Sequence, residues 1–291
     1  MANALTFAVL GGAKGNLGTA ITAGLLKPIK DTERISVKHL YVTVATETSQ
    51  RRVQRELGED PSRLTVLLAK GNVRAVQEAD VVVMAFKPVK REEVFAAPGI
   101  REALQNKFII SIMAGITIKE INRLALNTTE HTSSIQAVRA MPNMAAKICE
   151  AVTLYTANQE TLSETSQEIA QWVFNQVGDA QLVAESTFDI SAVLVGCAGS
   201  LLLLAVDGLL DAAVAEGVKR SEATKMVVNS SIGMLKLVPA GDHPSVLREK
   251  IASPGGCSIR ALLELEKLGV RSAFTSAILA AAERSKGVSN K

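Results

Sequence analysis

The sequence predicts an α/β domain with a doubly wound parallel sheet over residues 1–184, followed by an all-α domain over residues 185–291. Three observations carry this prediction. Short, continuous apolar runs alternate with helical segments through the first part, as expected of strands buried on both faces. After about Glu185 only helical patterns remain. The composition is 47% hydrophobic but only 3% aromatic, so the core is built from Ala, Val, Leu and Ile, which suits parallel strands and close-packed helices.

In chain order, the predicted strands are Leu5–Leu10, Val37–Val44, Thr65–Ala69, Val81–Ala85, Phe108–Met113, Ser134–Val138, Val152–Tyr155 and Gln181–Ala184. Thr19–Leu26, Ser49–Leu57, Val73–Glu78 and Ser163–Gln176 read as helices between them. Right-handed crossovers then make the sheet parallel. In the second part, Thr187–Glu216, Ser221–Leu237, Pro244–Ile251, Ile259–Leu268 and Ser272–Ser285 read as helices. The first is apolar on nearly every face, so it is expected to be buried between subunits. Its stretch Ile190–Leu210 is long enough to cross a membrane. Asp207 and three glycines within it, with Asp211 and Glu216 beyond, favour an interface helix, so no membrane partner is expected.

Several function classes are excluded. The net charge of +3 is small and dispersed, which argues against a nucleic-acid partner. Cys149, Cys197 and Cys257 show neither disulfide nor metal spacing, so no metal is expected and a reducing, cytoplasmic location fits. Met1–Leu10 reads as a first strand, not a signal peptide. His39, His131 and His243 lie in polar segments and read as surface residues, and Cys257 as a small packing residue. No Ser/His/Asp or Cys/His set is visible.

The chemistry-bearing motif is Gly11-Gly12-Ala13-Lys14-Gly15-Asn16-Leu17-Gly18, placed between the first strand and the first helix. Glycines there let backbone approach a pyrophosphate, and N–H groups at the helix start bind the anion. The spacing is GxxGxxG from Gly12 or GxxxGxxG from Gly11, not GxGxxG. A short-chain dehydrogenase would need a Tyr with Lys four residues on; Tyr41 and Tyr155 are followed there by Ala45 and Gln159. After the second strand, Glu47 could hold a ribose diol, Arg51 or Arg52 a 2′-phosphate, or all three could simply be solvated. The balance leans to NADP over NAD.

Four further segments converge: Ala85-Phe86-Lys87-Pro88, Ser111-Ile112-Met113-Ala114-Gly115-Ile116, Arg139-Ala140-Met141-Pro142-Asn143 and Ala252-Ser253-Pro254-Gly255-Gly256-Cys257-Ser258. With Gly269-Val270-Arg271-Ser272-Ala273, this arrangement resembles the pyrroline-5-carboxylate reductases, from Phe7 to about Arg284. The resemblance implies a Rossmann domain followed by a helical dimerisation domain, with dimers able to build a decamer. It also implies an active site shared between one subunit's cofactor and the partner's helices. Carried over, Gly15, Asn16, Leu17 and Gly18 match the pyrophosphate loop, alongside Gly11 and Gly12. Asn72 matches the adenosine side, and Ala85, Lys87, Pro88, Ala114 and Gly115 the nicotinamide-side walls. Ser253, Gly255, Gly256, Cys257 and Ser258 match the loop that holds the substrate carboxylate, with Ser258 orienting the substrate. A Pro-Gly-Gly turn opening a helix also suits an anion on physical grounds.

The chain departs from that family in the long helix. Val195-Gly196-Cys197-Ala198-Gly199-Ser200-Leu201 stands where Ser-Gly-Ser-Gly-Pro-Ala-Tyr is usual, and Leu204 where a threonine faces the imine nitrogen. Cys257-Ser258 replaces paired threonines or Ala-Thr. The implied function is NAD(P)H-dependent reduction of a cyclic imine, foremost 1-pyrroline-5-carboxylate to L-proline. The departures keep two others open: a paralogue acting on another cyclic imine, and a nucleotide-binding protein without turnover.

Overall fold

The computed structural model describes residues 3–12, 16–27, 34–58, 60, 62–127, 135–158 and 160–289. Eight strands form one sheet in the order β3-β2-β1-β4-β5-β6-β7-β8. They are β1 (Asn3–Leu10), β2 (Ile35–Val44), β3 (Leu64–Leu68), β4 (Val81–Met84), β5 (Phe108–Ser111), β6 (Ala137–Pro142), β7 (Ala151–Ala157) and β8 (Gly178–Leu182). Helices α1 (Asn16–Leu25), α2 (Glu47–Leu57), α3 (Asn72–Glu78), α4 (Arg91–Phe95), α5 (Ile100–Leu104), α6 (Ile118–Leu126) and α7 (Glu164–Asn175) connect them.

Strand alternation divides the apolar residues between two cores. Phe7, Val9, Val81, Val83 and Ile110 pack on one face with Ile21 of α1 and Val173 and Phe174 of α7. Ala8, Leu10, Val82, Met84 and Ile109 pack on the other with Ala75, Ile100 and Leu124. Every residue of β4 and β5 is buried, which is why their sequences read as unbroken apolar runs.

The sheet corrects one expectation. Strands β1 to β6 are parallel, but β7 runs antiparallel to β6, and β8 is parallel to β7. The link between β6 and β7 is only Asn143–Glu150, with a 3-10 turn at Met144–Ile148. A parallel crossover needs about a dozen residues or more, so this link can only return the chain antiparallel. The same pairing carries β6 on through Pro142, beyond the expected strand end at Val138. The short helices α4, α5 and α6 also exceed what periodicity predicted. His39 differs too: it sits half-buried on β2, where its Nδ1 donates to Ser62 O at 3.0 Å and its Nε2 is hydrogen-bonded with Thr65 Oγ1 at 2.9 Å. His131 lies outside the described residues.

The remaining helices are α8 (Glu185–Ala215), α9 (Arg220–Lys236), α10 (Pro244–Ile251), α11 (Cys257–Lys267) and α12 (Val270–Ser289). Compactness divides the chain after Val195, with a second unit at Gly196–Arg284. That unit buries little by itself. Among its described residues only Leu210, Ala223 and Leu247 are buried hydrophobics, whereas Leu203 and Leu204 are 67% and 71% exposed. By length and composition alone α8 could cross a membrane. Its Asp207 and Asp211 pair with Arg220 of α9.

Two charged clusters tie elements of the first unit together. Arg139 on β6 is 4% exposed. Its guanidinium donates to Glu185 Oε1 at 3.3 Å and Asp189 Oδ1 at 2.6 Å, and lies 4.2 Å from the Phe188 ring centroid. A buried arginine needs such partners, and they fix the first turns of α8 on the sheet. Arg123 on α6 makes a bidentate pair with Glu120 at 2.8 and 2.9 Å, and reaches Glu92 of α4.

Arg139→Met should cost about 2–3 kcal/mol, because the two carboxylates lose their partner but can still turn toward water. Urea unfolding at fixed protein concentration checks this; a loss below about 0.5 kcal/mol would show that Arg139 is dispensable. Glu120 gives a pH signature. The Arg123 hydrogen bonds hold its carboxyl below its ordinary 4.5, against the opposing effect of burial. A depressed folded pKa contributes stability that is complete above the unfolded value and lost as pH falls through the folded one. Wild type should therefore exceed Glu120→Gln in stability at pH 6, with the gap closing below pH 4.5. A gap that stays constant with pH would contradict the pairing.

Candidate functional site

The strand order reverses between β1 and β4, and a doubly wound sheet opens its ligand crevice at such a point. The two strand ends meet there: Ala85 N donates to Leu10 O at 2.9 Å. Gly11 follows β1 with φ +83°, a left-handed conformation that favours glycine. A Cβ on Gly11 would stand 2.7 Å from the Cα of Phe86. One on Gly12 would stand 2.9 Å from a methyl of Val42, and one on Gly18 would stand 3.0 Å from the Cα of Gly12 and 3.1 Å from the Cβ of Ala85. These three glycines thus allow the turn, the helix start and the neighbouring strand end to occupy one small volume.

Hydrogen bonds fix that turn. Gly11 N and Gly12 N both donate to Thr43 O, at 3.0 and 3.2 Å. Thr19 Oγ1 donates to Gly12 O at 2.9 Å, and Thr22 Oγ1 to Gly18 O at 2.7 Å. Thr43 and Thr19 were not singled out from the sequence, and Phe86 was quoted only within the Ala85–Pro88 segment. Of the three only Thr19 adjoins the glycine run; Thr43 lies on β2 and is brought to the turn by the pairing of β1 with β2. Gly15 lies outside the described residues. Asn16 begins α1, and Leu17 packs against the small cluster of Ala20, Ala146, Ala151 and Val177.

The other expected residues line the same sheet edge. Ala114 and Gly115 follow β5, and Ile112 N, just past that strand, donates to Met84 O at 3.1 Å; Gly115 has φ +76°. Lys87 is exposed and precedes Pro88, the first residue of a 3-10 turn at Pro88–Lys90. Asn72 opens α3 beyond the end of β3, and its Oδ1 is buried without a hydrogen-bond partner. An unpaired buried acceptor is costly, so it is suited to a ligand donor. Beyond β2, Thr46 caps α2 by accepting from Ser49 N at 3.2 Å. Glu47 and Arg51 form an exposed pair at 3.7 Å.

Ser253, Gly255, Gly256, Cys257 and Ser258 belong to the second unit. Ser253–Gly256 is a type II turn: proline sits at its second position, Gly255 at its third with φ +72°, and Gly256 N donates to Ser253 O at 3.0 Å. A Cβ on Gly256 would stand 2.6 Å from Ser253 Oγ. The turn opens α11, and no side chain caps that helix at Gly256. Its first N–H groups, at Cys257 and Ser258, are oriented to accept an anion. Cys257 is an exposed thiol. Among the described residues no cluster of His, Cys, Asp and Glu suits a metal ion.

The glycine packing predicts graded effects. Gly11→Ala should be the most damaging, since it combines strained φ with a backbone overlap. Gly18→Ala should cost about 1–2 kcal/mol of stability and weaken dinucleotide binding about tenfold, because the helix start must retreat. Gly58→Ala, with φ +91° but open space around it, should cost about 1 kcal/mol and leave binding unchanged. Calorimetric titration with NADPH checks this order; equal affinities in all three variants would contradict the assignment.

Comparison with known proteins adds to this geometry. Residues 185–288 match a family model described as pyrroline-5-carboxylate reductase dimerisation. Residues 6–115 match one described as NADP oxidoreductase, coenzyme F420-dependent. A pyrroline-5-carboxylate reductase of Lophium arboricola is 32% identical, covering 98% of this chain and 94% of its own. One of Neurospora crassa is 31% identical, covering 94% and 90%. Among solved structures, a pyrroline-5-carboxylate reductase from Coxiella burnetii superposes with TM-score 0.79 at 25% identity, covering 98% of this chain and 99% of its own. The Plasmodium falciparum pyrroline carboxylate reductase with NADP bound also gives 0.79, at 23% identity, covering 99% and 100%. With relatives this similar across almost its full length, the chain belongs to the pyrroline-5-carboxylate reductase family.

Proposed function

We propose that this protein reduces 1-pyrroline-5-carboxylate to L-proline, with NADPH preferred over NADH. The observation that carries the reading is the packing of Gly11, Gly12 and Gly18 at the reversal of strand order. That cradle fits a dinucleotide pyrophosphate, and the unpaired Oδ1 of Asn72 fits a donor on the adenosine side. The reduced nicotinamide would supply the hydride that adds to the carbon of the C=N bond.

The chain's own residues bind and orient. The first N–H groups of α1, from Asn16 to Gly18, hold the pyrophosphate, while Gly11 and Gly12, whose own N–H groups donate to Thr43 O, contribute close backbone approach. Ala85, Lys87, Pro88, Ala114 and Gly115 wall the nicotinamide side. The turn at Ser253–Gly256 and the N–H groups of Cys257 and Ser258 hold the substrate carboxylate, and the Ser258 hydroxyl orients the ring. Alignment of two bound reactants can lower a barrier by about 7–11 kcal/mol in the most favourable systems, so no nucleophile or metal is required. The preference for NADPH rests on Arg51 and Arg52 in the first half of α2, whose amino end favours a phosphate.

We infer a homo-oligomer built through residues 185–291, with 1–184 as the dinucleotide domain. Exposed Leu203 and Leu204 need cover. Gly196, Gly199 and Gly208 have open space where a Cβ would stand, so nothing within the chain requires glycine there. A helical glycine costs about 1 kcal/mol against alanine, and close approach of a second copy is a reason to retain it. This occupant replaces lipid as the cover for α8. A decamer of such dimers and a cytoplasmic location extend the proposal; all three cysteines are free thiols.

Steady-state oxidation of NADPH and NADH with pyrroline-5-carboxylate and with six-membered analogues tests the reading. Turnover of the five-membered ring is expected. Turnover of only the six-membered ring would move the substrate, and none with either would end the enzyme assignment. Ser258→Ala should raise KM for the imine about tenfold with NADPH affinity unchanged, as loss of one hydrogen bond to a charged group implies. The double variant Arg51→Ala, Arg52→Ala should raise KM for NADPH, but not NADH, about tenfold or more. Equal effects on both cofactors would place the 2′-phosphate elsewhere.

A further inference from the structure

Lys27 and Cys149 are 122 residues apart in sequence, yet Lys27 Nζ lies 2.7 Å from Cys149 Sγ. Both groups are held from behind. Lys27 follows the last turn of α1, and its Nζ also donates to Gln176 O at 2.9 Å. α1 lies close against that segment: a Cβ on its Gly24 would stand 2.8 Å from Val177. Cys149 ends the 3-10 turn at Met144–Ile148 in a left-handed conformation, φ +61°. Its neighbours are pinned by Glu150 N donating to Ala145 O at 3.1 Å and Ala151 N to Val177 O at 3.0 Å. An open cavity of about 360 Å³, lined by Cys149, Glu150, Ala151, Val152, Gly178 and Asp179, gives small molecules access to the sulfur. Neither side chain has a part in the proposed reduction.

The separation has chemical content. A distance of 2.7 Å is the short end for an N–H···O bond, and sulfur is a larger atom than oxygen, so this contact is closer than an N–H···S bond requires. It is a separation that one bent, bridging oxygen atom spans. We propose that Cys149 and Lys27 form an oxidation-dependent covalent S–O–N cross-link, with hydrogen peroxide as the oxidant.

One peroxide converts the thiol to a sulfenic acid and leaves as water. A second oxidises the amine to a hydroxylamine and leaves as water. The hydroxylamine oxygen then attacks the sulfenic sulfur, an S–O bond forms, and the sulfenic hydroxyl departs as a third water. Sulfur and nitrogen each lose two electrons, and two peroxides take them up. Four thiol equivalents of a reductant reverse the change, releasing thiol, amine and one water. The link joins the end of α1 to the segment before β7, at the opposite end of α1 from the glycine turn. It therefore clamps the domain without entering the dinucleotide cradle.

Intact mass spectrometry of the full-length protein, before and after graded peroxide, tests the proposal. Wild type should gain about 14 Da, one oxygen added and two hydrogens lost, and dithiothreitol should reverse it. Peptide mapping should recover residues 27 and 149 in one linked species. Cys149→Ser and Lys27→Arg should each abolish the gain, whereas Cys197→Ser and Cys257→Ser should keep it. The linked protein should show a higher thermal midpoint and unchanged NADPH affinity. A gain of only about 16, 32 or 48 Da, the same in wild type and Lys27→Arg, would mean simple thiol oxidation and overturn the link. A linked protein with an unchanged midpoint would overturn the clamp.

Discussion

The architecture depends on one close approach. At the reversal of strand order, the turn after β1, the start of α1 and the end of β4 share a volume that admits no side chain on Gly11, Gly12 or Gly18. Parallel strands on either side set the positions of the two strand ends, and the glycines let the helix start descend between them. The threonines at 19, 22 and 43 then fix the turn through carbonyl and amide bonds. A helix start held this low presents its N–H groups toward the crevice, the arrangement that binds a pyrophosphate. The remaining expected cofactor contacts lie on loops along the same sheet edge, so they follow from the strand order.

The second unit obeys a different constraint. Its described residues bury few apolar side chains and expose many, and its long first helix carries glycines that no intrachain neighbour requires. Such surfaces mark interfaces. An oligomer supplies the missing core, and the turn at Ser253–Gly256 gains its rigidity locally from proline, a left-handed glycine and one backbone bond. The loop proposed to hold the substrate can therefore be preformed even where the unit's stability comes from association.

Much of this was legible in the sequence because it is written in local pattern. The apolar runs at Val81–Met84 and Phe108–Ser111 are unbroken because both faces are buried. Gly11, Gly12 and Gly18 stand between a strand and a helix, where few other roles compete. The Ser-Pro-Gly-Gly segment encodes its own turn. The rest was hidden because it is long-range. The reversal at β7 depends on the length of a link, not on the strand's residues. Arg139 reads as one charge in an apolar strand until Glu185, Phe188 and Asp189 are seen around it. Lys27 and Cys149 carry no shared signal, since only the fold brings α1 beside the end of the turn after β6. The unpaired oxygen of Asn72 is likewise invisible until burial is known.

Hydrogen–deuterium exchange with each ligand added separately measures the central claim directly. NADPH alone should slow exchange of the backbone amides from Asn16 through Gly18 and at Asn72. L-proline added to the NADP complex should slow those from Gly256 through Ile259. Protection by NADPH that spares the first segment, or by proline that spares the second, would contradict the account.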